Sequence, residues 1–445
     1  MPSLLSRRHF LLAGGAALLA GCGQTVNGKG GKSPASITIW YESGLPIAST
    51  LQDLITSYNA TKPAVPAIAQ PQPDLSIKLL VVIGAHDAPD VVVYPRSRAW
   101  SLVSRGAGFP LNELAHRDNV TATLFSPRSW EGGMVNDQLW GLPIGLDATV
   151  LAASSKLLDS AKVAASPDWS TNNFDAACAA LVKRDSRGQL QQTGAILSSG
   201  LPFEIWLWQQ GADILTADGR AAAFDGPAGL KSLQWLIANQ QVNGGALAIG
   251  RLVSTATLTE GVSGAFTHGK LAMMPATYGT FVRLKKQPDS LPMRLVTLPT
   301  LVGGSPATLA DNLYAFAPAQ SADPHPEGAW QFIRWLATDP KAQAALFGGG
   351  TIPSLLAAQQ APPVAGDPDA AVMLQALRSG RVEQNFPWTA EVAGQLNAMI
   401  PQALDGRLSA QQALDQARAQ AARTIEQDVT LQPSGGGTPS TSKGQ

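Results

Sequence analysis

Short apolar runs alternate along the chain with longer segments in which apolar residues recur every three or four positions. The apolar runs predict β-strands at 37–41, 75–82, 88–94, 293–298 and 313–317. The helical spacing predicts α-helices at 50–59, 174–183, 203–211, 226–239, 327–338, 340–347, 370–377, 390–405 and 409–428, the last with Ser409 as its N-cap. Strands that alternate with helices in this way are typical of an α/β fold, in which helices cover a parallel or mixed sheet.

The length of the chain and its two ends predict how it is divided. Its 445 residues exceed the limit of about 250 to 300 residues for one hydrophobic core, so we expect two lobes. Residues 23–36 are rich in Gly, Lys, Ser and Asn, and residues 432–445 are rich in Gly, Ser, Thr and Pro. These compositions predict a flexible tether and a disordered tail on either side of a folded body at 37–431.

The first 22 residues have the pattern of an export signal. Arg7 and Arg8 precede an apolar run from Phe10 to Ala20, which is followed by Gly21 and Cys22. The run is about half the roughly 20 residues that span a bilayer, so it predicts a twin-arginine signal peptide rather than a permanent transmembrane helix. Bacterial lipoproteins are cleaved before such a cysteine, whose thiol receives a diacylglycerol. We therefore expect an exported protein, anchored by lipid to the outer face of the cytoplasmic membrane; a soluble exported protein is the alternative.

Charge and residue counts disfavour several other classes of function. The chain has 32 basic and 32 acidic residues, whereas a nucleic-acid-binding protein needs a basic stripe. Its five histidines lack metal-ligand spacing, and it has neither a phosphate-binding loop nor a nucleophile elbow, so we predict no metal, no cofactor and no catalytic residue. If Cys22 is lipidated, Cys178 has no disulfide partner, and we expect it to be a small core residue.

Four segments, taken in order, resemble one known family. They are 84–94, with Pro-Asp before a buried strand; 139–145, with Trp-Gly-Leu-Pro; 266–274, ending in Ala-Met-Met; and 311–353, with a return strand, a Trp-Leu helix and a Gly/Pro loop. Together they resemble the extracellular solute-binding proteins of family 1, the sugar-binding subunits of ABC importers. The chain departs from the family pattern at 151–156, where a Tyr-Asn-Lys-like stretch is usual, and at Tyr278, where many members have tryptophan.

The resemblance implies a type II periplasmic-binding-protein fold, in which two α/β lobes hold a ligand in the cleft between them and close by bending at a hinge. It places lobe 1 at 37–146 plus 313–353 and lobe 2 at 148–311 plus 354–431. It also implies a monomeric receptor that catalyses no reaction. Such a receptor binds a carbohydrate and delivers it to the permease subunits of an ABC importer in the membrane.

A sugar presents apolar C–H faces and a rim of hydroxyl groups, so its site needs aromatic rings beside polar groups. Candidates of both kinds follow predicted strands or lie in segments that face the expected cleft. They are Tyr41, Glu42, Ser43, Tyr94, Arg96, Asp147, Trp206, Trp208, Tyr278, Asn312 and Trp388. The resemblance places Asp147 where related receptors hold a carboxylate that binds hydroxyl groups. Trp206 and Trp208 would point about 200° apart on a helix, so we expect at most one of them to face the ligand.

Two other functions fit part of the pattern. Arg96 and Arg98 suit a phosphate-bearing solute such as a glycerophosphodiester, because arginine binds anions through two parallel hydrogen bonds. Glu42 and Asp147 could instead be the paired carboxylates of an exported glycosidase. Trp388 lies in a loop by its pattern, so Trp388→Ala is expected to weaken ligand binding while leaving the empty protein nearly as stable.

Overall fold

The computed structural model describes residues 36–431, apart from 136, 165–168, 257–260, 289, 320, 322–324 and 385. The predicted signal peptide, Cys22, the tether as far as residue 35 and the tail from residue 432 lie outside the described residues. No helix within the described ranges combines the length and the apolar character that crossing a membrane requires.

The strands form two main sheets and two separate two-stranded pairs. In chain order they are β1 (Ile37–Glu42), β2 (Ala67–Gln72), β3 (Val91–Pro95), β4 (Met134–Val135), β5 (Gln138–Leu139), β6 (Gly141–Leu146), β7 (Val150–Ser154), β8 (Lys183–Arg184), β9 (Leu190–Ala195), β10 (Leu271–Ala276), β11 (Met293–Val296), β12 (Thr308–Leu309), β13 (Leu313–Phe316), β14 (Ile352–Pro353) and β15 (Gly380–Arg381). The first sheet has the order β14-β6-β13-β3-β1-β2, the second has the order β11-β7-β10-β9-β8, and the two-stranded pairs are β4-β5 and β12-β15. Both mix parallel and antiparallel pairs, as between β1 and β3 and between β13 and β3.

Helices cover both sheets. They are α1 (Ala48–Ala60), α2 (Leu75–Gly84), α3 (Arg96–Leu102), α4 (Asn112–Arg117), α5 (Pro127–Gly132), α6 (Ser155–Ser160), α7 (Thr171–Leu181), α8 (Glu204–Gln209), α9 (Pro227–Val242), α10 (Ala246–Ala256), α11 (Gly261–Thr267), α12 (Tyr278–Lys285), α13 (Pro326–Thr338), α14 (Pro340–Gly349), α15 (Leu356–Gln359), α16 (Pro362–Ala365), α17 (Pro368–Arg378), α18 (Thr389–Leu404) and α19 (Ala410–Leu431). The sheets and their helices confirm the predicted two-lobed α/β fold. We call the body around the first sheet lobe 1 and the body around the second sheet lobe 2; the exact residue boundaries of the lobes stay a prediction.

The first sheet is buried on both faces, which explains the continuous apolar run of β3. Ile39 and Tyr41 belong to the core on one face, and Trp40, Val92 and Tyr94 belong to the core on the other. The core of lobe 2 contains Cys178, where burial raises the pKa of the thiol to about 12. The thiol is therefore protonated at neutral pH, as expected of a core residue.

The strand predicted at 75–82 is wrong, because this segment is helix α2. Its buried face carries Leu75 and Leu79, but Ile77, Leu80 and Val81 on the other side are exposed. Apolar residues on both faces hide the helical period and produce a run that matches a buried strand. The actual strand is β2, an edge strand with the sequence Ala-Ile-Ala-Gln-Pro-Gln, whose polar residues and proline gave no strand signal.

Ser409 is confirmed as the N-cap of α19. The backbone N–H of Gln412 donates to Ser409 Oγ at 3.2 Å, and the N–H of Ser409 donates to Gln412 Oε1 at 2.9 Å. This reciprocal pair is a capping box, which satisfies two backbone donors at the start of the helix.

The chain crosses between the sheets at 147–149 and 310–312, and these two crossings are hydrogen-bonded to each other. The N–H of Thr149 donates to the carbonyl of Leu309 at 3.1 Å. The N–H of Asp311 donates to the carbonyl of Asp147 at 3.2 Å. A third passage follows β14. The paired crossings form the floor of the cleft between the lobes.

Candidate functional site

The cleft between the lobes contains two neighbouring cavities that share Asp311. The first, about 40 Å³, is lined from lobe 1 by residues 96, 97 and 100, from the crossing by 309–311, and from lobe 2 by 382–384, 386, 387, 389 and 390. The second, about 200 Å³, lies between Pro46 and Thr351 of lobe 1 and Thr277 and Gly279 of lobe 2, with Asp147 in its wall. We call the two cavities together the cleft site. Both are smaller than the about 300 to 1,000 Å³ of typical ligand pockets, so a solute requires the lobes to separate.

Arg96 is the basic side chain of the cleft site. It starts α3 directly after β3, and its backbone N–H donates to the carbonyl of Asn312 on the crossing at 2.9 Å. Its Nε donates to the carbonyl of Gly132 at 3.1 Å, and its guanidinium lies 4.6 Å from the centre of the Trp100 ring. Burial lowers the pKa of Arg96, while Tyr314, Asp311 and Glu383 oppose that effect. The guanidinium is thus fixed by the protein itself.

Asp147 and Asp311 are held by hydrogen bonds that join the crossings to the lobes. Asp147 Oδ1 accepts from the N–H of Tyr278 at 3.0 Å and from that of Ala148 at 2.9 Å. Asp311 accepts from the N–H of Ser97 at 3.0 Å and from its hydroxyl at 2.6 Å. Burial raises the pKa of Asp147 to about 7 in spite of its two donors, and burial also raises the pKa of Asp311.

Glu383 adds a third carboxyl group. Burial raises its pKa, the nearby Asp311 raises it further, and Arg96 opposes both effects. The cleft site therefore brings several carboxyl groups together in buried surroundings, where their ionisation is unfavourable. Hydrogen bonds donated by a ligand would reduce this cost.

Arg98 of α3, which follows Ser97 of the cleft site, forms an ion pair with Glu42 at the end of β1. Arg98 donates to Glu42 at 2.6 Å, with side chains that are 52% and 22% exposed. The guanidinium also lies 5.9 Å from the centre of the Tyr94 ring. Such an exposed ion pair contributes little to the free energy of unfolding. It does place the carboxylate of Glu42 beside the guanidinium of Arg98, so this positive charge already has a partner in the protein.

Phe386 and Trp388 lie in the segment after β15, one behind the other. Phe386 lines the cleft site and is stacked on Trp388, with ring centres 5.8 Å apart and an interplanar angle of 13°. Trp388 is only 6% exposed, belongs to the core of lobe 2, and donates from Nε1 to the carbonyl of Gly219 at 2.8 Å. The aromatic ring that lines the cleft site in this segment is therefore Phe386.

The other sequence-predicted residues occupy three kinds of position. Those whose rings are buried in the cores are Tyr41, Tyr94, Trp206 and Trp208. Tyr278 contributes its backbone N–H to Asp147, while its ring is stacked against Phe347 of lobe 1 at 5.5 Å. Asn312 is buried behind the crossing, and Ser43 is exposed at the end of β1. The structure thus places Arg96 in the first cavity of the cleft site and Asp147 in the second, while Glu42 lies outside both linings and is paired with Arg98.

Sequence reasoning missed Ser97, Trp100, Asp311, Glu383 and Phe386. Asp311 had a usable signal, because it precedes Asn312 on the return crossing. Ser97 and Trp100 follow the same strand end as Arg96, which also gives a signal. Glu383 and Phe386 lie in a segment without periodic pattern, and only the packing of lobe 2 against lobe 1 brings them to the cleft. No group of three or more His, Cys, Asp or Glu side chains in the described ranges is arranged to bind a metal ion.

The sequence matches the family model of bacterial extracellular solute-binding proteins over residues 55–372, which is more than half of the chain. The chain belongs to this family. As a member of an extracellular family, the solute-binding protein is exported. Its family consists of binding proteins, not enzymes.

Several solved structures are similar to this solute-binding protein. CpMnBP1 with mannotriose bound has a TM-score of 0.75 at 23% identity and covers 87% of this chain and 100% of its own. A substrate-binding protein from Listeria monocytogenes in complex with cycloalternan has a TM-score of 0.74 at 15% identity, with coverage of 88% and 100%. The maltose/maltodextrin-binding domain MalE from Bdellovibrio bacteriovorus, bound to maltotriose, has a TM-score of 0.71 at 17% identity, with coverage of 89% and 100%. At these identities the likeness shows a common fold. No curated protein sequence matches the chain.

We predict that Asp147→Asn reduces the pH dependence of stability of the empty solute-binding protein. The folded-state pKa of Asp147, about 7, lies above the value of about 3.9 for an unfolded aspartate. The folded state therefore holds the proton more tightly, and the stability that this provides is present below about pH 4 and is lost as the pH rises through 7. Asparagine keeps an Oδ1 acceptor for both N–H groups but does not titrate.

The measurement is the free energy of unfolding of the empty protein at pH 5 and pH 8. The Asp147→Asn variant should lose less stability between these pH values than the wild type, and the exposed Asp87→Asn should lose as much as the wild type. Burial also raises the pKa of Glu204 to about 7, so part of the slope should remain. An unchanged slope in Asp147→Asn would show that the carboxyl is already ionised at pH 5.

We predict opposite consequences for the two stacked aromatic residues. Trp388→Ala should lower the free energy of unfolding by about 3 to 5 kcal/mol, because it opens a cavity and leaves the Gly219 carbonyl without its donor. The sequence alone predicts that Trp388→Ala leaves the empty protein nearly as stable, whereas the buried position of Trp388 predicts a large loss of stability. Phe386→Ala should cost less stability, because this ring is only half-buried, but it should weaken ligand binding. Chemical denaturation and titration calorimetry separate the two effects; equal stability losses would contradict the assignment.

Proposed function

We propose that the protein captures a carbohydrate, a monosaccharide or an oligosaccharide, in the cleft site and delivers it unchanged to the permease subunits of an ABC importer. The observation that carries this proposal is that the carboxyl groups of Asp311 and Glu383 and the half-buried residues Trp100 and Phe386 line one cavity between the lobes. Sugar hydroxyls would donate to the carboxyl groups, and the C–H faces would pack on the rings. The similar structures contain mannotriose, cycloalternan and maltotriose, which supports the same ligand class.

The charges of the cleft site favour a carbohydrate over a phosphate-bearing solute. Asp311 and Glu383 line the first cavity with Arg96, which is the only basic side chain among the described residues that line the two cavities, and Asp147 lines the second. Arg98, the other arginine considered for phosphate, is paired with Glu42. A phosphate group would therefore meet mainly acceptors and negative charge, whereas a hydroxyl-rich ligand supplies the donors that these groups lack.

A role without catalysis agrees with how the carboxyl groups are held. A glycosidase needs one carboxylic acid and one carboxylate placed freely on either side of the scissile bond. Here Asp147 accepts from two backbone N–H groups, and Asp311 accepts from Ser97. Glu42, the other carboxylate considered for catalysis, is paired with Arg98.

We further propose that the receptor is a monomer exported by the twin-arginine route and anchored at Cys22 by lipid. Arg7, Arg8 and the apolar run before Cys22 support this part of the proposal. A receptor that transfers solute to a membrane permease benefits from the anchor, because the tether raises its local concentration at the membrane.

A thermal-shift screen over mono-, di- and oligosaccharides and glycerophosphodiesters tests the ligand class. A ligand that binds only the native state adds about 2.7 kcal/mol of stability at a concentration of 100 times Kd, so a bound sugar should raise Tm, and phosphodiesters should not. Glu383→Gln should weaken sugar binding about tenfold or more, because hydrogen bonds to a charged group contribute about 1.5 to 3 kcal/mol. The exposed Glu113→Gln is the matched control and should bind normally.

The same thermal-shift screen can also exclude the proposed function. No Tm response to any saccharide would exclude a carbohydrate receptor, and a response to phosphodiesters alone would favour the second ligand class. Chromatography of a bound saccharide after long incubation should return it unchanged; cleavage products would show an enzyme.

Cys22→Ala tests the anchor. The variant should move from the membrane fraction to the soluble exported fraction, because the acylated thiol is lost, while Tm and sugar affinity stay those of the wild type. A membrane-bound fraction of Cys22→Ala as large as that of the wild type would contradict a lipid anchor at this residue.

A further inference from the structure

Helix α2 (Leu75–Gly84) has apolar side chains on its exposed face as well as on its buried face. Leu75 and Leu79 are buried, whereas Ile77, Leu80 and Val81 are 70%, 57% and 65% exposed. The three exposed residues lie at positions i, i+3 and i+4 and therefore share one side of the helix. A run of three large aliphatic side chains in solvent is unfavourable unless another surface covers it.

Ile68 belongs to the same face of lobe 1. It is 48% exposed on the edge strand β2, where it pairs with Thr38 of β1. Two positions further along β2, Gln70 accepts from Trp40 Nε1, and Lys78 of α2 lies over the Trp40 ring at 4.8 Å. Side chains two apart on a strand share a face, so Ile68 lies on the face that α2 covers. We call Ile68, Ile77, Leu80 and Val81 the α2 patch; it contains four of the seven exposed large hydrophobic residues in the described part of the chain.

The chain enters the fold beside the α2 patch. The first residue of β1 is Ile37, and the next, Thr38, is the partner of Ile68. The C-terminal end of α2 returns to the same place, because Asp90, six residues after Gly84, accepts from the N–H of Thr38 at 2.8 Å and from its hydroxyl at 3.1 Å. Residues 23–36 therefore connect Cys22 to the end of lobe 1 at which α2 ends. If these residues form the flexible tether that their composition predicts, they span roughly 20 Å on average.

The size and charge of the α2 patch favour a lipid surface as the occupant. A stable protein–protein interface takes about 800 Å² and 20 to 30 residues from each partner, which is far more than four aliphatic side chains supply. Contact with a bilayer needs no shape complementarity, and a tether makes a weak contact effective by raising the local concentration. Within α2 the only charged residue is Lys78, a cation that an anionic bilayer attracts, and the acidic residues Asp74 and Asp87 lie beyond the two ends of the helix.

We propose that the α2 patch rests on the outer surface of the bilayer to which Cys22 is anchored, with Ile77, Leu80 and Val81 in the interfacial region. This inference rests on the lipid anchor of the proposed function. It assigns a second membrane contact to the folded body and fixes which side of lobe 1 faces the lipid.

The test uses the lipidated full chain in vesicles of phosphatidylethanolamine and phosphatidylglycerol with brominated acyl chains. Leu80→Cys is labelled with an environment-sensitive dye; Leu247→Cys is the matched control, because Leu247 is 70% exposed on α10 in lobe 2. Cys178 is buried and Cys22 is acylated, so the dye reacts with the introduced thiol. We expect at least twofold quenching at position 80 and little at position 247. Adding Ile77→Ser and Val81→Ser should reduce the quenching at position 80 to the level of the control.

Other outcomes overturn the proposal. Equal quenching at positions 80 and 247, or none at either, would show that the α2 patch does not face the lipid. Shielding of the dye at position 80 in vesicle-free solution, increasing with protein concentration, would show a second copy as the occupant. Shielding that requires vesicles containing the permease would show a protein partner.

Failure of the anchor gives a different result. In that case the wild-type protein has no acyl chain at Cys22, and the same fraction of it floats as of the Cys22→Ala variant. The full-length Cys22→Ala chain then tests the α2 patch on its own by flotation with the same vesicles. The additional substitutions Ile77→Ser, Leu80→Ser and Val81→Ser should reduce the floated fraction at least fivefold with an unchanged circular dichroism spectrum; an equal floated fraction would overturn the proposal.

Discussion

The hydrogen-bonded pair of crossings between the two sheets is the constraint on which the cleft depends. Because the N–H of Asp311 donates to the carbonyl of Asp147, the two crossings must pass side by side. The carboxyl group of each aspartate then accepts a hydrogen bond from one lobe. Asp147 accepts from the N–H of Tyr278 in lobe 2, and Asp311 accepts from the N–H of Ser97 in lobe 1. The lobes can rotate about this strip of backbone, but their ligand-facing groups keep a common reference point.

The same arrangement links stability to function. Burying Asp147, Asp311 and Glu383 together raises the pKa of each, so the empty cleft holds carboxyl groups in surroundings that disfavour their charge. A residue arrangement chosen for stability alone would avoid this cluster, and its presence is typical of a functional site. A ligand that donates hydrogen bonds offsets the cost, which gives closure around a hydroxyl-rich solute a direct physical cause.

The sequence predicted the fold better than the site, and particular residues explain the difference. Strand β3 is a continuous apolar run because both of its faces are buried, and helix α13 has a strong helical period because one of its faces packs on the core of lobe 1; both elements were located closely. Helix α2 was mistaken for a strand because its exposed face is apolar, a feature that no local rule anticipates. Arg96 and Asp147 follow strand ends and could be found, whereas Phe386 reaches the cleft only through the packing of lobe 2. The position of Trp388 behind it depends on a contact with Gly219 that is distant in sequence.

The wall of the cleft site formed by residues 382–384, 386, 387, 389 and 390 belongs to neither main sheet and contributes no residue to the paired crossings. Substitutions in this wall can alter the shape and polarity that a ligand meets while the hinge remains intact. The residues that set ligand preference are thus different from those that set the geometry of the hinge. Each set can be mutated without changing the other, and the two sets can change at different rates during evolution.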